Sequence, residues 1–266
     1  MSIRVTEVPD YRGQPTLLIE TPAATYHFHR DGAALASLTD PDGQDWIDFK
    51  PGGGSAGEYR GIPNIVHPEV GFHPGGDTCV TEITRQTDDL LELACRTRDG
   101  GWACTWRFTD TEALMTLTRA ARPHWFLYEG TPGGTYREAE AFLIDADGAR
   151  DACDTQWQRT LGGGGSGVRG VCVGTSGSPF GLYLIDATDR GDQAVVDSFW
   201  SMEKNMTVLG FGRQLGGDCP TWKRLPPIDP DAGDPPARLL VRLEPLPDPA
   251  AAPARLTSLA ALLPVK

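Results

Sequence analysis

The sequence predicts an all-β fold: a large antiparallel β-sandwich with one short C-terminal helix. Three observations lead there. Apolar and polar residues alternate with a period of two along much of the chain, the pattern of strands with one buried face. The runs are short and end at Gly, Pro or Asp, and 32 glycines and 22 prolines in 266 residues leave little room for long helices. Helical patterning is confined to one late segment, Ala254 to Leu263.

In chain order, strands are expected at 3–8, 16–20, 25–29 and 35–39, each bounded by turn residues. The alternation is clearest from Cys79 to Arg119. There TCVTEITRQT, DLLELACRT, GWACTWRFTD and EALMTLTRA follow one another, with Asp88-Asp89, Gly100-Gly101 and Asp110 at the turns of a meander. Trp102, Trp106 and Phe108 share one parity and are assigned to the interior. Further strands are expected at 125–128, 140–144, 168–174, 181–186, 194–199, 206–211 and 238–244. About 15 strands exceed what one twisted sheet carries, so sheets must stack. A single domain over residues 1–266 is expected, since all-β domains of this length are common. Two segments lack strand chemistry. LGGGGSG, 161–167, reads as a mobile surface loop, and PPIDPDAGDPP, 226–236, as an extended surface excursion.

Charge narrows the partners. A formal charge of −12 and a pI near 4.8 argue against a nucleic-acid or anionic-membrane partner, since either would need a basic face. The first residues lack the apolar run of a signal peptide and no stretch is long enough to span a bilayer, so a cytoplasmic protein is expected. The six cysteines form no CxxC pair and are scattered through strand-like runs, which favours buried thiols over disulfides.

YHFHRDGAALASLTDPDGQDWIDF, 26–49, resembles the opening hairpins of the galactose-mutarotase-like superfamily, with its glycine turn and D-x-x-G-x-D-W-I segment. GEYRGIPN (57–64), WFLYEGTPGG (125–134) and FWSMEKNMTVLGFGR (199–213) are similar to uncharacterised bacterial domains of polysaccharide-degrading proteins. The resemblance implies a β-supersandwich and work on carbohydrate. Aldose epimerases of this superfamily pair a histidine acid with a glutamate base, while its lyases need a base near the sugar C5 and a group that neutralises a uronate carboxylate. Fold alone does not choose between them.

The residues themselves point to segment 57–76, GEYRGIPNIVHPEVGFHPGG, where polar side chains gather on a Gly/Pro-rich connection. β-Elimination needs charge neutralisation beside the acidic proton. Arg60 offers a bidentate guanidinium and Asn64 a further donor, while Tyr59, His67 or His73 serves as base or acid. Glu203, in the polar SMEKN stretch, is a further acid or base candidate. Sugar rings stack on aromatics and their hydroxyls take planar polar groups, so Trp125, Glu129, Trp200, Arg213 and His29 complete the expected substrate-binding set.

The leading reading is a polysaccharide or oligosaccharide lyase acting by β-elimination on a uronate-containing glycan. An epimerase or mutarotase, a glycoside hydrolase using two of Glu58, Glu129 and Glu203, and a non-catalytic sugar-binding module are the alternatives. His27 and His29 alternate on one strand and share a face, yet a lone HxH is weak as a metal site; neither a metal nor a cofactor is expected. Glycan identity and oligomeric state leave no mark in the sequence.

Overall fold

The computed structural model describes residues 2–50, 53, 60–65, 79–137, 139–152, 157–162, 164–189, 196–203, 206–212 and 225–263. Four strands, β1 (Arg4–Tyr11), β2 (Gln14–Glu20), β3 (Thr25–His29) and β4 (Ala34–Thr39), form an antiparallel meander. A two-residue turn, Arg12-Gly13, joins β1 to β2, with φ of 54° and 88°.

A nine-stranded antiparallel sheet comes next. It contains β5 (Cys79–Gln86), β6 (Leu91–Thr97), β7 (Trp102–Phe108), β8 (Ala113–Ala120), β10 (Ala141–Asp145), β11 (Arg150–Ala152), β13 (Gly170–Thr175), β14 (Phe180–Asp186) and β17 (Ala237–Pro245). Its order is β11-β10-β13-β14-β17-β8-β7-β6-β5. The remaining strands, β9 (Phe126–Gly130), β12 (Trp157–Leu161), β15 (Val196–Glu203) and β16 (Met206–Phe211), make a sheet ordered β12-β15-β16-β9.

Residues 60–65 join the two smaller sheets. Leu35 and Ile62 exchange both backbone hydrogen bonds, at 2.8 and 3.1 Å, which ties the segment to β4. On its other side Asn64 and Leu127 exchange theirs at 3.1 and 2.9 Å, and Glu129 N donates to Gly61 O at 3.2 Å. The order thus runs β1-β2-β3-β4, then 60–65, then β9-β16-β15-β12. This composite layer packs on the nine-stranded sheet through one core that takes Tyr26, Phe28 and Leu35 from the first part and Tyr128 and Leu209 from the second. The large sheet supplies Trp106, Phe108 and Met115. Tyr26 meets Phe108 edge-on at 5.3 Å, Phe28 meets Trp106 at 5.8 Å, and Trp106 Nε1 donates to Ala33 O at 2.9 Å.

The large sheet shows two kinds of strand. In β7 buried and open positions alternate, because one face lies on the core and the other meets water. In β10 all five residues are buried, since the C-terminal helix α1 (Ala252–Leu262) covers the second face with Leu256 and Leu259 against Phe142, Ile144 and Tyr183. Its expected span, 254–263, was offset by two residues at the start and one at the end. Pro253 sits in its first turn, where no amide donor is missed.

An ion pair fixes the helix. Arg255 donates to both Glu244 oxygens at 2.5 and 2.7 Å, and Arg242 Nε adds a third bond at 2.6 Å. Burial pushes the Glu244 carboxyl up, but the bonds from Arg255 and Arg242 outweigh it and hold the pKa below the ordinary value. This contribution to stability is therefore present at neutral pH and is lost on acidification, as pH falls through the folded-state pKa. Glu244→Gln is expected to cost about 1–3 kcal/mol at pH 7. Urea unfolding at neutral and acid pH checks it: the gap between wild type and variant should close in acid.

Cys79, Cys95, Cys104 and Cys172 are buried free thiols, as their strand contexts predict; Cys153 and Cys219 lie outside the described residues. In the glycine-rich segment, Gly164 and Ser166 lie against the Asp145–Ala149 turn. Ser166 N donates to Asp147 Oδ1 at 3.0 Å, and a Cβ on Gly164 would lie 2.0 Å from Asp147 Oδ2, so glycine allows close contact with the Asp145–Ala149 turn. Within the second proline-rich segment, Pro230–Ala232 forms a capped 3₁₀ turn rather than extended chain. No described helix is long and apolar enough to cross a membrane.

Candidate functional site

The composite layer buries a polar group where 60–65 meets β9. Phe126 and Tyr128 point into the sandwich core, so Trp125, Leu127 and Glu129 lie on the opposite side of the strand. Asn64 is paired directly with Leu127 and shares that side. Its Nδ2 donates to Glu129 Oε2. Glu129 is 0% exposed and Asn64 and Arg60 nearly so. Trp125, Leu127, Met206 and Val208 form an apolar cluster beside them.

Arg60 links this group to the loop after β4. Its Nη1 donates to Asp48 O at 3.3 Å and lies 3.8 Å from Asp48 Oδ2. Burial lowers the Arg60 pKa, while the charges of Asp48 and Glu129 oppose that shift. Asp48 also binds Arg12 Nη1 at 2.9 Å and Lys50 Nζ at 2.8 Å. Burial acts against its charged form, but Lys50 and Arg12 prevail and hold the Asp48 carboxyl below its ordinary value.

The D-x-x-G-x-D-W residues brace this arrangement. Asp40 Oδ1 accepts from the amides of Asp42 and Gln44 at 3.0 and 2.9 Å, and Oδ2 accepts from Trp46 Nε1 at 3.0 Å. Trp46 O in turn accepts from Tyr128 OH at 2.7 Å and from Thr131 N at 2.9 Å. The motif therefore clamps the end of β9 that carries Glu129. Gly130 has no room for a side chain, because a Cβ would fall 2.2 Å from Trp46 O. Asp45 Oδ1 accepts from Leu38 N and Ile47 N at 3.2 and 3.0 Å, and burial raises its pKa against those bonds.

Of the residues expected from the sequence, Arg60, Asn64, Trp125 and Glu129 come together. Trp125, expected to bind substrate from an open position, is buried. Glu203 and Trp200 lie in β15, opposite Met206 and Leu209 in register. Tyr59, His67, His73 and Arg213 lie outside the described residues. Sequence reading missed Asp48 and Arg12, which meet across 36 positions. Asp48 follows the D-W-I segment, but nothing in that segment marks its pairing with Arg12.

His29 sits on β3, and both ring nitrogens are engaged. Gly32 N donates to Nδ1 at 2.5 Å, which places the proton on Nε2, facing Gln14 Oε1 at 2.8 Å. His27 stacks on Tyr11 at 3.7 Å, with Nδ1 3.1 Å from Thr16 Oγ1. Burial lowers both pKa values from 6.5 to about 4, with Arg12 assisting at His27. Both rings are thus neutral in the fold at pH values where the unfolded chain already takes up protons. Stability is full above pH 6.5 and declines as pH falls towards 4. For His29 the expected loss is about 3 kcal/mol. His29→Gln should flatten the pH dependence of the unfolding midpoint across that window; an unchanged slope would exclude His29 as its source.

Among the described residues no group of three or more His, Cys, Asp or Glu could hold a metal ion. A separate polar cleft of about 290 Å³ opens between Asp42, Gln44, Gly133, Arg137, Glu140 and Ser178.

No protein-family model matches the sequence, and no curated protein does. Solved structures do match. HI1317 superposes with a TM-score of 0.56 at 9% identity, over 92% of this chain and 100% of that one. YeaD of Salmonella typhimurium, described as a candidate mutarotase, gives 0.57 at 8% identity, over 92% of this chain and 94% of the other. At such identities the likeness is one of fold. A composite layer of two joined sheets packed on a nine-stranded sheet, matched along nearly the whole chain, gives this protein the galactose-mutarotase-like fold, the β-supersandwich.

Proposed function

We propose that this chain is a carbohydrate-active enzyme that interconverts the anomers of an aldose, with Glu129 taking the proton of the C1 hydroxyl. The observation that carries this reading is the Asn64–Glu129 contact: a buried carboxylate held by an amide, with Arg60 close enough to act on it by charge. In the proposed step Glu129 accepts the C1 hydroxyl proton, the O–H electrons form the C1=O bond, and the C1–O5 bond breaks as O5 takes a proton from an acid. Rotation about C1–C2 and reversal of the step give the other anomer. His67 or His73 supplies that acid in this reading. Once uncovered, Trp125 and its apolar neighbours, all buried in this structure, would suit the C–H face of a pyranose. A substrate has to uncover Glu129 to reach it.

The fold supports this reading, since the matched YeaD structure is described as a candidate mutarotase. Magnetisation-exchange NMR on neutral aldoses and hexuronic acids tests it. Added protein should speed transfer between the α and β signals of at least one sugar; no acceleration with any aldose would count against it.

One feature favours a second reading. Arg12, Lys50 and Arg60 surround Asp48 in a chain whose net charge is −12. Such cations suit a uronate carboxylate, and β-elimination on a uronate glycan would use them while a base removes the C5 proton. Its mark is ultraviolet absorbance from an unsaturated uronate, without anomer exchange.

A further inference from the structure

We propose that Asp48 is a positioning residue for Glu129, acting through Arg60, and that the Arg12-Gly13 turn holds it in place; this rests on Glu129 being the proton acceptor. The backbone points there first. Among the described residues three non-glycine positions have φ in the left-handed region, Arg12 at 54°, Ala33 at 51° and Asp48 at 50°. L-residues reach that region at a cost of about 1–2 kcal/mol, and such outliers gather where a side chain must be aimed. Two of these three are bonded to each other, Arg12 Nη1 to Asp48 Oδ1 at 2.9 Å.

Local sequence rules alone would not put arginine there. A two-residue hairpin loop with φ above zero at both positions prefers Asn-Gly, and this chain has Arg-Gly. Arg12 reaches Asp48 Oδ1 and Phe49 O, so its side chain pins the hairpin tip onto the loop that carries Asp48. Asp48 then meets Arg60 with both its carbonyl and its carboxylate. The carboxylates of Asp48, Glu129 and Asp45 all act on Arg60 by charge. The path Arg12, Asp48, Arg60, Glu129 thus alternates in sign across elements far apart in sequence. Removing Asp48 leaves Arg60 less firmly placed beside Glu129, and small displacements of catalytic groups are costly in rate.

Arg12→Asn separates positioning from simple stabilisation. Asparagine suits the turn, so the variant should melt at the same temperature as wild type or higher, while kcat for anomer exchange falls about 3- to 10-fold and KM changes little. Asp48→Asn and Asp48→Gly both tolerate the left-handed backbone and should lower kcat about 10- to 100-fold. Arg4→Ala, which breaks an exposed pair with Glu20, serves as a control with kcat unchanged. If Glu129→Gln is inactive but the Arg12 and Asp48 variants keep full kcat, the positioning role is wrong and the role of Glu129 stands. If wild type shows no exchange, or Glu129→Gln retains it, the functional reading fails and this inference falls with it.

Discussion

Glu129→Gln is expected to lower the rate of anomer exchange by about 10²- to 10⁴-fold, the usual worth of a positioned proton acceptor. The amide keeps the shape of the side chain and can still accept a hydrogen bond from Asn64, so the loss isolates the charge and the basicity. Stability should fall as well, by about 1–3 kcal/mol, because Arg60 is buried and loses one of the carboxylates that act on it. Arg60 keeps its contacts to Asp48, which limits that loss. Steady-state exchange rates at matched folded fractions, with urea unfolding alongside, distinguish the two effects. A variant that loses stability but keeps its rate would make Glu129 a structural residue.

Trp46→Ala should be the most destabilising of the changes considered, at about 3–5 kcal/mol. The indole is 0% exposed and lies in the main core. Its removal leaves a cavity and deprives the buried Asp40 Oδ2 of the Nε1 donor. The damage should extend to the site, because the carbonyl of this same residue receives Tyr128 OH and Thr131 N on either side of Glu129. Chemical denaturation measures the first effect. Faster hydrogen exchange at the amides of β9 would report the second, and a loss under about 1 kcal/mol would contradict the account.

The fold was legible because most strands carry their own signature. β7 alternates buried and open residues, and β13 and β14 are apolar runs between turn residues. Two strands escaped notice. Arg150–Ala152 is short and polar, and Trp157–Leu161 has Gln and Arg between its apolar ends. Segment 57–76 is unusual in sequence for its polar residues among Gly and Pro, but nothing in it marks residues 60–65 as the link between two sheets. That link rests on isolated bridges at Ile62 and Asn64, too little pairing to leave a period.

The site divides in the same way. Arg60 and Asn64 were legible from their neighbours in one loop, and Glu129 from the glycine turn that follows it. Their meeting was not, since Asn64 and Glu129 are 65 positions apart. His27 and His29 looked equivalent on one strand. The fold separates them: His29 has both ring nitrogens engaged, whereas His27 lies stacked on Tyr11. Asp48 could not be singled out from sequence, because neither its left-handed backbone nor its three cationic neighbours leave a local pattern.

In the proposed mechanism the sugar is handled at Glu129. A crystal structure of the Glu129→Gln variant with the aldose that wild type exchanges tests it most directly. The C1 oxygen should lie within about 3 Å of the residue 129 side-chain oxygen, with Arg60 and Asn64 nearby. A sugar bound elsewhere, for example in the cleft lined by Asp42, Glu140 and Ser178, with residue 129 still covered, would contradict it.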